Sequence, residues 1–434
     1  MYKLKNVKIQ GFWGDCIIDT TFFNDFTFFH GENGTGKTTF ISILQDVLEF
    51  DLEAISFHQF VKIELILNNG SKTRKISLEK ISDNDIEYTE IHVKIGRSKY
   101  VLPVINYSRE IRTGRFNFKI SQQIEEIKET FASLFNLSFL SVSRVKRKRY
   151  NDEKSVINRL PIDRKLTNRL PIDRKLNELM GDLTAYQLNL ENVVNTHSLQ
   201  FQKNVLKSML FDNELDFVDL NQEIHIDLDS IKSGLISVYK DLKVLDSETK
   251  KTINTHIEAI STAAKAINEH VIDKEKPVFA NHVTPITLLK RTHRIIELLN
   301  QFNTQKDKIL EPVNNYTDLL HNFIKGKTFE ISNEKRGGLI VKKEKVSFPY
   351  HRLSSGEKQL IILLTETLLQ REEPYIFIAD EPEISLHIKW QRMLATAISE
   401  INPNAQLIFA THSPEIVGKR RTNLVNMSNI INNG

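Results

Sequence analysis

The sequence predicts a mixed α/β fold assembled from the two ends of the chain, with an antiparallel β subdomain and a helical domain inserted between those ends. Three observations predict it. Near the N-terminus the apolar run FTFFH passes directly into the glycine-rich stretch GENGTGKTT and then into the helical pattern FISILQDVLEF. Near the C-terminus the short apolar strands YIFIAD and QLIFATHS alternate with helical patterns, as in a buried sheet covered by helices. Between residues 145 and 326 strand patterns stop, and apolar residues recur at helical spacing.

Taken in order, residues 3–10 and 26–30 read as strands, and the second leads into the glycine-rich loop. The runs FVKIELIL, KTRKISLEK, YTEIHVKI and SKYVLPVINY are rich in Val, Ile and Tyr. Turn signals at Asn69-Gly70 and Asp83-Asn84-Asp85 separate them, which predicts an antiparallel meander. A helix over 119–135 and a strand over 137–144 complete a first segment, 1–144.

The inserted segment, 145–326, carries a narrow apolar seam. Ile231, Leu235, Val238, Leu242 and Leu245 are followed by Ile253, Ile257, Ile260, Ala264, Ile267 and Val271. Such a seam needs a partner helix, and it reads as a helical hairpin packed on itself rather than an intermolecular coiled coil. NRLPIDRKLT at 158–167 is repeated at once as NRLPIDRKLN at 168–177. Two copies make no solenoid, so the repeat reads as a tandem duplication in a tolerant loop, its prolines arguing against a helix through it.

The last segment, 327–434, returns to strands over 328–349. It continues with a helix opened by Leu353-Ser354-Ser355-Gly356-Glu357, the strand YIFIAD, a helix near 385–400 and the strand QLIFATHS.

Composition narrows the class. The 434 residues are 40% apolar and 26% charged, a globular balance, and the net charge of +4 selects no partner by itself. The lone Cys16 excludes disulfide frameworks and cysteine-based zinc sites and points to a reducing compartment. The opening MYKLKNVKIQGFWG alternates like a strand and has no apolar signal core, so the expectation is a soluble, cytoplasmic protein without a membrane partner.

Gly31-Glu32-Asn33-Gly34-Thr35-Gly36-Lys37-Thr38, followed by Thr39, fits the P-loop pattern in full. Glycines let backbone N–H groups wrap a phosphate, Lys37 reaches the terminal phosphates, and the Thr38 hydroxyl suits Mg²⁺. Asp380 and Glu381 end the strand YIFIAD, placed for metal binding and for orienting an attacking water. His412 ends the next strand and is placed to contact a γ-phosphate. Ser355 and Gly356 offer a hydroxyl and bare amides at a helix N-terminus, with Glu357 beside them.

In this order the P-loop, Ser355-Gly356, Asp380-Glu381 and His412 resemble the set that marks ATP-binding-cassette (ABC) ATPases. The resemblance implies a P-loop nucleotide-binding domain with ATP and Mg²⁺ as its ligands. It also implies that Ser355 holds the γ-phosphate on a second protomer's P-loop, so that two chains close head to tail around two ATPs, as a dimer or within a higher oligomer. Lys37 and Ser355 are separated by far more chain than in cassette transporters, which resembles the chromosome-maintenance and repair cassettes.

FIKGKTFEI, LSSGEKQLIILL, FIADEPEISLHIKWQ and IFATHSPEIV look more narrowly like the AAA-type cassette ATPases of prokaryotic anti-phage defence. These include the overcoming-lysogenisation-defect nucleases, the PtuA ATPases of Septu systems and the PtuA-like ATPases of retrons. The likeness covers roughly 1–45 and 325–417. With 22 residues after His412 there is no room for a Toprim nuclease domain, so the Septu pattern is expected. That pattern implies an ATPase without a nuclease site, controlling a separate HNH nuclease, PtuB, in trans. A retron setting would add a reverse transcriptase and its noncoding DNA. Two departures stand out: Ser143-Arg144 where cassettes carry a glutamine, and Ser385-Leu386-His387 where the D-loop usually ends in Asp. Slow turnover is consistent with both.

Residues 144–176 hold twelve Lys or Arg against four Asp or Glu, led by Arg144, Lys146, Arg147, Lys148 and Arg149. This run suits DNA or RNA phosphates, or the acidic face of a partner protein. Two other functions stay open: a DNA-repair ATPase resembling the chromosome-maintenance cassettes and acting directly on DNA, and an ATP-dependent scaffold with little turnover.

Overall fold

A computed structural model describes residues 1–83, 88–104, 114–141, 171–210, 212, 217–241, 244–332 and 338–433. The chain forms two compact units, Met1–Tyr186 with Pro312–Gly434, and Gln187–Glu311. The fold is mixed α/β, with parallel and antiparallel sheets and helical regions.

In the first unit the strands are β1 (Lys3–Phe12), β2 (Cys16–Thr21), β3 (Phe26–His30), β4 (Lys62–Asn68), β5 (Thr73–Asp83), β6 (Tyr88–Ile95), β7 (Ser98–Val104) and β8 (Asn136–Ser141). They continue with β9 (Thr328–Ser332), β10 (Gly338–Lys343), β11 (Val346–Pro349), β12 (Tyr375–Asp380), β13 (Gln406–Ala410), β14 (Leu424–Asn426) and β15 (Ile431–Asn433). The expected meander is present as β4 to β7, extended by β1, β2 and β15 into a seven-stranded sheet of order β15-β2-β1-β4-β5-β6-β7. Alternation explains its one-sided burial: Ile63, Leu65 and Leu67 face the core while Lys62, Glu64 and Ile66, which alternate with them, are only partly buried. Pro103 sits in β7, an edge strand, where a missing N–H breaks no ladder.

The second sheet has the order β14-β3-β13-β12-β8 and is parallel throughout. Its central strands are buried along their length, as continuous apolar runs predict. Helix α1 (Lys37–Leu48) packs on β12 and β13. Phe40, Ile41, Ile43, Leu44 and Val47 are buried in one core with β1, β4, β12 and β13, so α1 is apolar on more than one face because it lies between two sheets. Gln406, the first residue of β13, ties the two sheets near the starts of their strands: its side chain accepts from Leu4 N (2.8 Å) and donates to Leu4 O (2.7 Å). A small sheet, β11-β10-β9, precedes the helix that carries Ser355.

The remaining helices are α2 (Leu52–Phe57), α3 (Gly114–Leu134), α4 (Pro171–Ser208), α5 (Leu228–Asp241), α6 (Ser247–Ile272), α7 (Ala280–Phe323), α8 (Ser355–Leu368), α9 (Ile388–Ile401), α10 (Pro414–Val417) and α11 (Met427–Ile430). Among the described residues no helix is long and apolar enough to cross a membrane.

In the second unit part of the seam is filled within the chain, while Leu242 lies outside the described residues. Ile231 of α5, Ile260 of α6 and Leu289 of α7 form one buried cluster, with Leu235 and Ile257 packed against it. Ala263, Ala264 and Ile267 of α6 meet Ile286 of α7 in a second cluster. Phe201 and Phe302 stack with ring centroids 5.5 Å apart.

The repeat departs from expectation. Residues 158–170 lie outside the described residues, but from Pro171 on the second copy is helical, Pro171 opening the 38-residue α4. At the first helical position a proline lacks only an N–H that would have no intrahelical partner. Within that copy Asp173 pairs with Lys358 (2.7 Å), Lys175 lies 3.1 Å from Glu366, and Leu176 is fully buried. These contacts bind it to α8, which is why a segment of loop-like composition is ordered.

Candidate functional site

The P-loop joins β3 to α1, and its glycines earn their places by geometry. Gly34 and Gly36 both have φ of 84°, where a side chain is strained. A Cβ on Gly36 would stand 2.8 Å from the Trp13 ring, which follows a bulge between Gln10 and Phe12 in β1. A Cβ on Gly31 would meet Thr35 Oγ1 at 2.7 Å. Asn33 and Gly34 are exposed at the loop tip, and Thr38 and Thr39 occupy the first turn of α1.

Lys37 is buried and donates to the carbonyls of Gly31 (2.8 Å) and Glu32 (3.0 Å). Burial lowers its pKa, while the carboxylates of Glu381 and then Asp380 oppose that shift. The two acids are therefore close enough for their field to reach the P-loop amine, although they lie more than three hundred residues away in sequence.

Asp380 is the last residue of β12 and is buried, paired in register with Ala410 of β13. Glu381 follows with φ of 49°, and its N–H donates to Ala410 O (2.8 Å). That left-handed turn lets the two acids leave the strand end in different directions. His412 Nε2 lies 3.4 Å from Glu381 Oε1, with both side chains about one-third exposed. Thus β3, β13 and β12, adjacent and parallel, deliver Lys37, His412, Asp380 and Glu381 to their C-terminal ends.

The Ser355 segment is built differently. Ser354, not Ser355, is the N-cap of α8: its N–H and hydroxyl donate to Glu357 Oε2 (both 2.9 Å), and Glu357 N donates back to Ser354 Oγ. Lys327 closes on Glu357 Oε1 at 2.5 Å. Burial pushes the Glu357 carboxyl up, but the bonds from Lys327 and Ser354 outweigh it and hold the pKa below the usual value. Glu357, expected at the nucleotide, is thus committed to the cap, while Ser355 stands exposed in the first turn. Gly356 is buried, and a Cβ there would come within 2.4 Å of the Ser385 carbonyl oxygen.

The helix expected from 385 begins only at Ile388, because Ser385 turns the chain with φ of 70° and His387 caps α9 by accepting from Lys389 N (3.2 Å). His387 performs the capping task that an Asp would perform at that position. The strand expected over 137–144 ends at Ser141 among the described residues. Arg144, Lys146, Arg147, Lys148 and Arg149, with Ser143, lie outside the described residues.

One residue escaped the sequence reading. Glu383 is buried, and its Oε1 accepts from Thr411 Oγ1, His412 N (2.9 Å) and Ser413 N (3.2 Å). Nothing in EPEISLH distinguishes it from a solvent-facing acid; only the fold brings it to the end of β13.

Several known proteins are similar to this chain. A probable ATPase of retron Ec83 from Escherichia coli is 28% identical over 152 residues, covering 32% of this chain and 26% of that protein. An uncharacterized protein of Dictyostelium discoideum is 33% identical over 89 residues, 19% of this chain and 12% of its own length. Both matches span a minor part of those relatives. The Smc head domain with an extended coiled coil from Pyrococcus furiosus, solved bound to the C-terminal domain of ScpA, aligns over 98% of this chain and 93% of its own, at 14% identity and TM-score 0.43. The SMC head domain from Thermotoga maritima aligns over 96% and 91%, at 10% identity and TM-score 0.39. Scores this low add nothing to the strand order and loop geometry above. The AAA ATPase domain family matches residues 2–417, almost the whole sequence, and the chain belongs to that family.

Proposed function

We propose that this chain binds and hydrolyses ATP as the regulatory subunit of an anti-phage defence complex, closing head to tail with a second copy around ATP and controlling a partner HNH nuclease of the PtuB type. The observation that carries the ATPase reading is the convergence of Lys37, Asp380, Glu381 and His412 at the ends of adjacent parallel strands.

In this reading Lys37 exchanges the carbonyls of Gly31 and Glu32 for phosphate oxygens, and the P-loop amides with Asn33 complete the cradle. The Thr38 hydroxyl and the Asp380 carboxylate fit a phosphate-held Mg²⁺, a donor set of one hydroxyl and one carboxylate near the P-loop amine. Bound there, Mg²⁺ supplies positive charge to the β- and γ-phosphate oxygens. Glu381 orients and deprotonates the attacking water, and His412 contacts the γ-phosphate beside it. The exposed Ser355, with the Gly356 amide, grips the γ-phosphate on the second copy.

The likeness to a retron ATPase supports the defence setting. A retron locus would supply a reverse transcriptase and its noncoding DNA as further partners. The test is affinity purification of tagged Glu381→Gln chain from its native host with ATP present. A stoichiometric HNH nuclease supports the reading, and recovery of the chain with DNA alone overturns it. The basic run at 144–176 favours one second reading, an ATPase acting directly on DNA, whose mark is DNA-stimulated hydrolysis by the isolated chain.

A further inference from the structure

We propose that Glu383 is the positioning residue that sets His412 against Glu381, and that it works through the shape of its hydrogen bonds and not through its charge. The proposal rests on the ATPase reading of the site.

A single oxygen of Glu383 gathers donors from three successive residues, Thr411, His412 and Ser413. Those residues follow directly on β13, and truncating Glu383 would remove the acceptor of the His412 amide and one of the two acceptors of Ser413 N, the other being Thr411 Oγ1 (2.9 Å). Their second anchor comes from the other side. Ser413 Oγ donates to Gln391 Oε1 (2.6 Å), and Gln391 Nε2 donates to Leu386 O (3.0 Å). The backbone on both sides of the His412 Cα is thereby fixed to the segment 383–391, which begins two residues after Glu381. The imidazole takes no part in these bonds; it projects toward Glu381 at 3.4 Å. Movement of the loop changes that distance directly.

Charge and shape can be told apart here because the two oxygens of Glu383 are used unequally. Oε1 carries all three contacts, and among the described residues Oε2 has no hydrogen-bond partner. An amide at 383 keeps the acceptor that holds the loop and loses no bond at its other atom. At Glu381 the same change removes the base. Two acids two positions apart therefore respond in opposite ways to one substitution.

The experiment is steady-state ATP hydrolysis by the full chain carrying Glu381→Gln, Glu383→Ala, Glu383→Gln or Gln391→Ala. Glu383→Ala is expected to lower kcat by about 10²-fold with little change in KM, the loss typical of a reacting group displaced by about 1 Å. Glu383→Gln rescues most of that loss, whereas Glu381→Gln lowers kcat by about 10²–10⁴-fold. If Glu383→Gln is as damaging as Glu381→Gln, Glu383 acts by charge and the proposal is wrong. It is equally wrong if Glu383→Ala leaves kcat intact. Should Glu383→Ala fail to fold, Gln391→Ala decides: a smaller fall in kcat at constant KM supports the clamp, and an unchanged kcat overturns it.

A chain that turns over no ATP refutes the ATPase reading without touching the clamp. The imidazole resonance of His412, assigned with His412→Gln, then reads the geometry alone. It should move in Glu383→Ala and hold its place in Glu383→Gln; the reverse pattern overturns the proposal.

Discussion

Two helix N-termini in this molecule are suited to an anion, and they are finished in opposite ways. Helix α1 starts behind Gly36 with no side-chain cap and no acid in its first turn, so its first amides are left for a ligand. Lys37 meanwhile rests on carbonyls of its own loop. Helix α8 starts behind Ser354 with a reciprocal cap from Glu357, and Lys327 neutralises that acid. One terminus is completed by what it binds. The other is complete beforehand, with Ser354 committed to the cap and Ser355 exposed beside it. Under the proposed function, the first is suited to the chain's own nucleotide and the second to a neighbour's.

Lys37→Ala breaks the comparison at its strongest point. It should weaken ATP binding by at least about 10²-fold, the worth of charged hydrogen bonds to phosphate. Calorimetric titration measures this directly. ATP at a hundred times its Kd should also stabilise the wild-type chain by about 2.7 kcal/mol, a shift that Lys37→Ala removes. Ser355→Arg comes next. An exposed helix-start residue should cost no more than about 0.5 kcal/mol in stability, so the monomer still binds ATP. The bulk of Arg at the second copy's phosphate should prevent closure. Light scattering with ATP present checks it, and an ATP-dependent dimer of this variant would refute the shared site.

The contrast between the termini was only half legible in the sequence. The P-loop pattern is contiguous within Gly31–Thr39, although Phe12 and Trp13, beside a bulge in β1, also crowd Gly36, and Met427 lies against Gly31. Asp380 and Glu381 were legible for a similar reason, as a strand end has a plain apolar signature. Around α8 the sequence offers two adjacent serines and one glutamate, and spacing alone does not say which serine caps. The answer depends on Lys327, thirty residues upstream, holding Glu357 in place. The loop reading failed from Pro171 on because composition describes a segment in isolation. Asp173, Lys175 and Leu176 are ordered by Lys358, Glu366 and a core that arrive much later in the chain. Glu383 was invisible for the same reason: its partners, Thr411 to Ser413, lie just past the end of β13, nearly thirty residues later.

Two smaller substitutions sharpen the α8 side. Gly356→Ala places a methyl group against the Ser385 carbonyl, a backbone atom that cannot rotate away. An overpacking cost of about 1–3 kcal/mol is expected, read as a lower midpoint in urea denaturation. Because Ser385 must move, head-to-tail closure should weaken as well. Ser354→Ala removes the cap itself and should cost about 1 kcal/mol by the same measurement, with ATP affinity unchanged. An affinity loss in Ser354→Ala would mean that the two termini are not independent.

The smallest effect is a pH dependence confined to the capped terminus. The folded-state pKa of Glu357 lies below the ordinary carboxyl value of 4.5, because bonds from Lys327 and Ser354 to the carboxylate outweigh burial. A depressed carboxyl pKa contributes stability above the unfolded value, and that contribution is lost as pH falls through the folded one. Wild type should therefore exceed Glu357→Gln in thermal stability near neutrality, with the gap closing below about pH 4.5. Helix α1 has no acid in its first turn, so no cap there titrates in this window. A gap that persists unchanged into acid would place the work of Glu357 in its shape, like that proposed for Glu383, and would remove the electrostatic half of the distinction between the two helix starts.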